Sequence, residues 1–399
     1  MKLKLEHVAR IDCAEIELNG VTVIAGYNGT GKSTISKSLY ALTDTFHGLP
    51  EKVYGEKLRS VSRLLFNWTG ESGCGHSASA EERQEAAREI LRQKDLTANA
   101  LQQIVQRRLG CTGSDIDPLY NFVRAVGARA DGEYEKFIAE RSFRSVFHEQ
   151  ISQLRGKEEA IFTLEDGSCH IRVKFHENRL SGMEYTPYRG QRAVYIGTLN
   201  VLDVIAQDPE NFTYVDRLQS LLYQEKKEDE LTFEEYQDSR VNLEAVQTIL
   251  RRITGGKIIR EGKRLRFMDD RSGQNIDFSN LASGMKTFVI LQTLIENGAL
   301  GRNGVLIIDE PEVNLHPEWQ LKFADLLVLL HVKLGIRLLL NTHSPYFLRA
   351  VEIYLAEYEA AGDGKYYYTD DANGKFLCRD VTNETEVIYQ ALYNPLESL

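Results

Sequence analysis

The spacing of apolar residues changes several times along this chain, and each change marks a different kind of element. Over residues 1–25 apolar and polar positions alternate, which predicts strands; a hairpin turned near Asp12-Cys13 leads into the β-branched run Val21-Thr22-Val23-Ile24-Ala25. Residues 35–155 read mostly as helix. Within them, residues 81–108 are rich in Ala, Glu, Gln, Arg and Leu with few breakers and read as one helix, too polar and too irregular for a coiled-coil arm. Residues 160–164 and 170–175 alternate around Asp166-Gly167-Ser168, a hairpin signature, and residues 193–197 form a short apolar run. Residues 199–255 return to helical character, with an acidic stretch at 225–235. A second hairpin region is expected at 257–279, then a helix at 281–298, a buried strand at 304–309, a helix at 318–334 and another buried strand at 336–341. A last hairpin covers 365–380, turned at Asn373-Gly374. The resulting division is a core segment at 1–50, a helical insert at 51–158, a β-rich core segment at 159–198, a second helical insert at 199–256 and a C-terminal core segment at 257–399. The fold class expected is α/β, with a mixed sheet at its centre, an inserted helical lobe and peripheral hairpins.

The 399 residues are 42% hydrophobic and 27% charged, an ordinary soluble composition sufficient for one elaborated domain or two smaller ones. A net charge of −10 removes any global basic field that would draw the chain to nucleic acid or anionic lipid, and leaves only local patches for such contacts. One patch runs from Arg251-Arg252 through Lys257, Arg260, Lys263 and Arg264 to Arg266; a solvated hairpin face accounts for it more simply than a phosphate-backbone contact. Tyr366-Tyr367-Tyr368 reads as sheet packing. The 5 cysteines are odd in number and scattered, without a C-x-x-C pair, which argues against a zinc site or a disulfide framework and for a reducing cytoplasm. The first residues lack an apolar signal core, and the most apolar region, 323–340, is interrupted by Asp325, His331, Lys333 and Arg337, so no membrane partner is expected.

Candidate chemistry begins at GYNGTGKST, residues 26–34, which contains G-x-x-x-x-G-K-S. Gly26, Gly29 and Gly31 let the backbone turn so that successive N–H groups, with Asn28, Thr30 and Thr34 between and after them, cup phosphate oxygens. Lys32 adds charge for the β- and γ-phosphates, Ser33 offers a hydroxyl to Mg²⁺, and the following helix points its positive end at the anion. Val305-Leu306-Ile307-Ile308 ends in Asp309 and Glu310: Asp309 suits Mg²⁺, mostly through its waters, and Glu310 suits a general base for the attacking water. Leu338-Leu339-Leu340 ends in Asn341-Thr342-His343, where a histidine can sense a γ-phosphate. Ser283 and Gly284, in Asn280-Leu281-Ala282-Ser283-Gly284-Met285, form a second anion-binding turn at a helix start.

In this order, GYNGTGKS, LASGM, VLIIDEPEVNLHP and LLLNTHSPYFL resemble the ABC-type ATPase heads of the SMC-like and OLD-like class. DEPE-x-N-L-H-P followed by THSP is similar to stand-alone ATPases of bacterial anti-phage systems, including the Septu and PARIS ATPases and the ATPase half of OLD nucleases. The resemblance implies a P-loop ATPase head that takes ATP and Mg²⁺ and works as a head-to-tail homodimer or an assembly of such dimers. Ser283 and Gly284 would complete the partner's site, His343 would be the switch histidine, and Glu312, Asn314 and His316 fall in the dimer-spanning loop. Ala282 stands where the signature usually has Ser, and Thr198 stands where the lobe strand is usually followed by Gln, with Gln191 nearby. About 56 residues follow His343, too few for an OLD-type nuclease domain, and no second acidic cluster suits two-metal cleavage. The expected function is an ATPase sensor that controls a separate nuclease or toxin during phage infection. The alternatives are an SMC-like DNA-repair or DNA-clamping ATPase, with nucleic acid as partner, and a scaffold that holds ATP without turnover.

Overall fold

The structure, a computed structural model, describes residues 1–71, 78–93, 95–111, 115–153, 158–197, 213–224, 233–261, 264–372 and 374–397. The chain forms two compact units, one of Met1–His47 with Ser142–Leu399 and one of Gly48–Arg141. The first unit opens with β1 (Lys2–Val8), β2 (Ile11–Glu17), β3 (Val21–Gly26) and α1 (Lys32–Phe46). The second holds α2 (Leu49–Glu71), α3 (Ala80–Arg92), α4 (Ala98–Leu109), α5 (Asp117–Ala128) and the start of α6 (Asp131–Val146). The first then resumes with β4 (Ala160–Asp166), β5 (Cys169–His176), β6 (Arg179–Tyr185), β7 (Ala193–Ile196), α7 (Tyr214–Leu222), α8 (Phe233–Thr254), β8 (Gly256–Glu261), β9 (Arg264–Asp269) and β10 (Asn275–Asp277). It closes with α9 (Ser283–Glu296), β11 (Val305–Asp309), α10 (Pro317–Leu334), β12 (Arg337–Thr342), α11 (Pro345–Glu357), β13 (Gly364–Ala372), β14 (Lys375–Asp380) and α12 (Glu386–Glu397).

In the helical unit, the single helix expected over 81–108 is two. Ser79 and Glu82 form a capping box that starts α3, Gln93 turns to extended backbone, and the Thr97 side chain accepts from Ala100 N to start α4. Leu101, Ile104, Val105 and Leu109 recur at helical spacing and bury against Ala86, Ala87, Ile90, Val61, Leu65, Leu119 and Val123. Cys111, in the same unit, is disulfide-bonded, contrary to the expectation from cysteine spacing; folding brings together residues that spacing along the chain does not.

In the larger unit the strands form a mixed sheet in the order β6-β5-β4-β1-β2-β14-β13-β3-β12-β11-β7, with a separate antiparallel trio β10-β9-β8. From β13 through β3, β12 and β11 to β7, neighbours are parallel. These central strands are covered on both faces, which is why β3, β11 and β12 read as unbroken apolar runs. One parity (Val21, Val23, Ala25, Leu306, Ile308, Leu338, Leu340, Val194, Ile196) packs on a core that includes Phe288, Phe323, Phe347, Leu291 and Leu327 from α9, α10 and α11. The other parity meets α1, as the Tyr40–Tyr195 ring contact and the Asn341–Ser36 hydrogen bond show.

Several local expectations shift. The first hairpin turns at Ala9-Arg10, with Val8 opposite Ile11, instead of at Asp12-Cys13. The Asp12 carboxylate, which suggested a turn, accepts from Gln153 Nε2 at 3.0 Å and Phe376 N at 2.7 Å. Strand β6 was not expected; it follows a two-residue turn at Glu177-Asn178, both at positive φ, and lacks an apolar alternation. In the basic strip, Arg251 bonds Glu296 at 3.0 Å and Arg266 pairs with Glu261 at 3.1 Å; Lys263 lies outside the described residues, as does Thr198. Tyr366, Tyr367 and Tyr368 are buried in β13. Among the described residues no helix is long and apolar enough to cross a membrane.

Candidate functional site

Parallel neighbours end on the same edge of a sheet, and ligands gather there in α/β folds. Strand β3 ends in the glycine-rich loop, β12 beside it ends at Thr342-His343, and β11 beyond it ends at Asp309-Glu310. The pairing puts Ala25 opposite Thr342 and Asn341 opposite Asp309. Segments separated by nearly three hundred residues are therefore joined because three apolar strands are adjacent.

Two glycines of the loop are dictated by space and angle. Gly26 has φ +152°, and a Cβ there would lie 2.3 Å from Thr369 Oγ1 and 2.4 Å from Thr369 O. Gly31 has φ +98°, and its Cβ would lie 2.3 Å from Ile11 Cδ1. Thr30, buried, donates to Tyr27 O at 2.8 Å and lies 2.7 Å from the Thr369 hydroxyl. Asn28, Gly29 and Ser33 are exposed, and Thr34 is half-buried. Lys32, 6% exposed, donates to the carbonyls of Gly26 at 2.9 Å and Tyr27 at 2.7 Å. Burial pushes its ammonium down to about 8, and the negative charges of Glu310, Asp309 and Glu312 act in the opposite direction. Asp309 thus reaches Lys32 electrostatically across the edge.

Asp309 is held from both sides: Asn341 Nδ2 donates to Oδ1 at 2.6 Å and Tyr195 Oη to Oδ2 at 2.7 Å. Glu310 leaves the strand at φ +52°, half exposed, with Oε1 3.5 Å from His343 Nε2. Burial, then the Lys32 charge, holds the His343 imidazole below its usual value, so the ring is neutral at pH 7. Its other contact is a hydrogen bond to the Gly26 backbone. His343 N donates to Glu312 Oε1 at 2.7 Å, and burial pushes the Glu312 carboxyl up against the opposing hydrogen bonds from the His343 backbone, its own backbone and the Thr342 side chain. Asn314 sits at φ +63°, and His316 caps α10 through Glu318 N.

Ser283 opens α9 after Ala282, which offers no side-chain cap, and Ser283 is exposed. A Cβ at Gly284 would lie 2.9 Å from Leu315 Cδ2, so this turn packs on the 314–315 segment. Among the described residues, neither Ser283 nor Gly284 hydrogen-bonds the glycine-rich loop. Gln191 is exposed, and its carbonyl accepts from Tyr188 Oη.

The exposed Ser33 hydroxyl and the Asp309 carboxylate are oxygen donors of the kind that suits Mg²⁺, and among the described residues the buried Asn341 Oδ1 has no hydrogen-bond partner. Among the described residues no group of three His, Cys, Asp or Glu could hold a metal by itself. Four contributors were not singled out in the sequence: Tyr195, Asn341, Thr369 and Arg10, whose Nη1 donates to Gly29 O at 3.0 Å. Asn341 alone had a signal, a polar residue closing an apolar run.

Solved structures similar to the chain include an SMC head bound to the C-terminal winged-helix domain of ScpA, at 13% identity over 97% of this chain and 98% of that one, TM-score 0.43. The SMC head domain of Thermotoga maritima matches at 12% identity over 95% and 98%, TM-score 0.40. An Smc head domain with an extended coiled coil bound to the C-terminal domain of ScpA, derived from Pyrococcus furiosus, matches at 12% over 98% of each, TM-score 0.40. The family described as "AAA domain, putative AbiEii toxin, Type IV TA system" matches residues 133–349, more than half the chain, including the segments that end in Asp309-Glu310 and His343. The chain belongs to this AAA domain family.

Proposed function

We propose that the chain binds ATP with Mg²⁺ on the edge formed by β3, β12 and β11 and hydrolyses it. The observation that carries the reading is the convergence of Lys32, Asp309, Glu310 and His343 at the ends of three adjacent parallel strands. The loop N–H groups of residues 26–34 and Lys32 would cradle the phosphates, and Ser33 and Asp309 would hold Mg²⁺. The cation would neutralise charge that develops on the transferred phosphoryl group. Glu310 would orient and deprotonate water, with neutral His343 beside it to register the γ-phosphate. Ser283, exposed, and Gly284, half-buried, at the uncapped start of α9 would meet the nucleotide of a second copy, giving a head-to-tail pair. The Ala282 position would then leave Ser283 to supply the hydroxyl.

Within this reading the chain is the sensing ATPase of an anti-phage system, regulating a separate nuclease or toxin and carrying no nuclease activity itself. A family description that names a toxin–antitoxin system supports such a setting. The same description favours a second reading, in which this chain is itself the toxic component. Expression of the chain alone, and with its neighbouring reading frames, separates the two: growth arrest by the chain alone supports the second. The site itself is tested by Lys32→Ala, which should abolish nucleotide binding while leaving the circular dichroism spectrum intact; wild-type affinity in that variant would exclude this loop as the phosphate site.

A further inference from the structure

We propose that Tyr195 is a positioning residue for Asp309, fixing the carboxylate in the orientation that receives the cation and thereby setting how tightly the site holds Mg²⁺ with its nucleotide. The inference rests on the reading of Asp309 as a Mg²⁺ ligand.

Tyr195 lies on β7, the edge strand beyond β11, and Ile196 is opposite Ile308. Strand alternation points Tyr195 to the face that carries α1, the face to which Asp309 also belongs. Its ring is 3% exposed and lies between Tyr40 of α1, at 5.7 Å between centroids, and Tyr214 of α7, at 4.9 Å. The phenol donates to Asp309 Oδ2 at 2.7 Å. Room for the ring is made by Gly197, where a Cβ would lie 2.9 Å from both Tyr195 Cζ and Oη. On the other side, Asn341 Nδ2 donates to Oδ1 at 2.6 Å and also to Ser36 Oγ of α1 at 2.8 Å.

Each carboxylate oxygen therefore has one fixed donor and keeps acceptor capacity for a cation or its water. Two donors at opposite oxygens fix the plane of the group, and the ring stack fixes the phenol in turn. Loss of the phenolic hydrogen bond leaves this half-buried carboxylate without one of its donors and free to turn about Cβ–Cγ. Outer-shell partners of metal ligands typically carry roughly 10- to 100-fold in metal affinity. The resemblance put Thr198 where the lobe strand is usually followed by Gln. Tyr195, three residues earlier, makes a direct connection from Asp309 to β7 and, through Tyr214, to α7.

The test is binding of a fluorescent ADP analogue to the full chain, titrated with Mg²⁺ and repeated in EDTA, for wild type, Tyr195→Phe and Asp309→Asn. Tyr195→Phe should raise the Mg²⁺ concentration for half-saturation by about tenfold while affinity in EDTA stays within about twofold. A structural role alone would weaken binding equally in both conditions. That equal loss, an unchanged Mg²⁺ midpoint, or a lowered one while Asp309→Asn shifts it upward, overturns the role of Tyr195. An unchanged midpoint in Asp309→Asn as well removes the reading of Asp309 as ligand, a distinct failure. Gly197→Ala, which drives a methyl into the phenol without deleting it, should move the midpoint in the same direction and carries the test if Tyr195→Phe melts early.

Discussion

The pH dependence of nucleotide binding tests how Lys32 is buried. Its ammonium is spent on two loop carbonyls, and burial holds its pKa down to about 8. Phosphates laid on the loop bring negative charge beside it and raise that value in the complex. The sign follows: between about 8 and the value in the complex, binding takes up a proton, so affinity is full below about 8 and falls as pH rises. The slope is tenfold per pH unit, about 1.4 kcal/mol. If the complex restores the ordinary 10.5, the loss levels off at roughly 300-fold. Equilibrium binding of fluorescent ADP in EDTA, from about pH 7.5 to about 10, reads the curve without metal hydroxide chemistry. Lys32→Arg keeps its charge over this window and should give a flat line at lower affinity. A flat wild-type curve, or an equal fall in Lys32→Arg, would refute the reasoning.

Two further substitutions probe what supports the edge. Thr30 donates to Tyr27 O at 2.8 Å, a shorter bond than the 3.3 Å from the Thr369 hydroxyl to Ala25 O, which favours Thr369 as the donor in their 2.7 Å contact; Thr369→Val should weaken nucleotide binding about fivefold, for one lost hydrogen bond of about 1 kcal/mol. Unchanged affinity in that variant would mean β13 does not hold the loop. Phe288, fully buried against Trp319 at 5.4 Å and Phe323 at 5.1 Å, ties α9 to α10; Phe288→Ala should cost about 3–5 kcal/mol in urea denaturation, and a loss below about 1 kcal/mol would place that core elsewhere.

What the sequence made legible follows from burial. Strands β3, β11 and β12 are covered on both faces, so their apolar runs stand out, and the polar residues closing them mark the edge. The hairpin β4–β5 was visible because one face alternates and Gly167, at φ +60°, supplies the turn. Strand β6 was not, since its residues are half or fully exposed and carry no pattern. The break between α3 and α4 depends on a Thr97 cap inside a helix-favouring composition, a local bond that outweighs propensity. Tyr195 and Thr369 reach the site only through strand order: β7 is placed beyond β11, and β13 beside β3. No spacing along the chain encodes that adjacency. Arg10 was hidden for a related reason, because the first hairpin turns three residues earlier than Asp12-Cys13 suggested.

The central claim is that Glu310, beside His343 and across from Lys32, activates water on a nucleotide held by this edge. Glu310→Gln keeps the shape of the side chain and removes the base. Measured side by side, its ATP affinity should match wild type within about twofold while single-site turnover falls by at least about 100-fold. Turnover at the wild-type rate in Glu310→Gln protein would contradict the account.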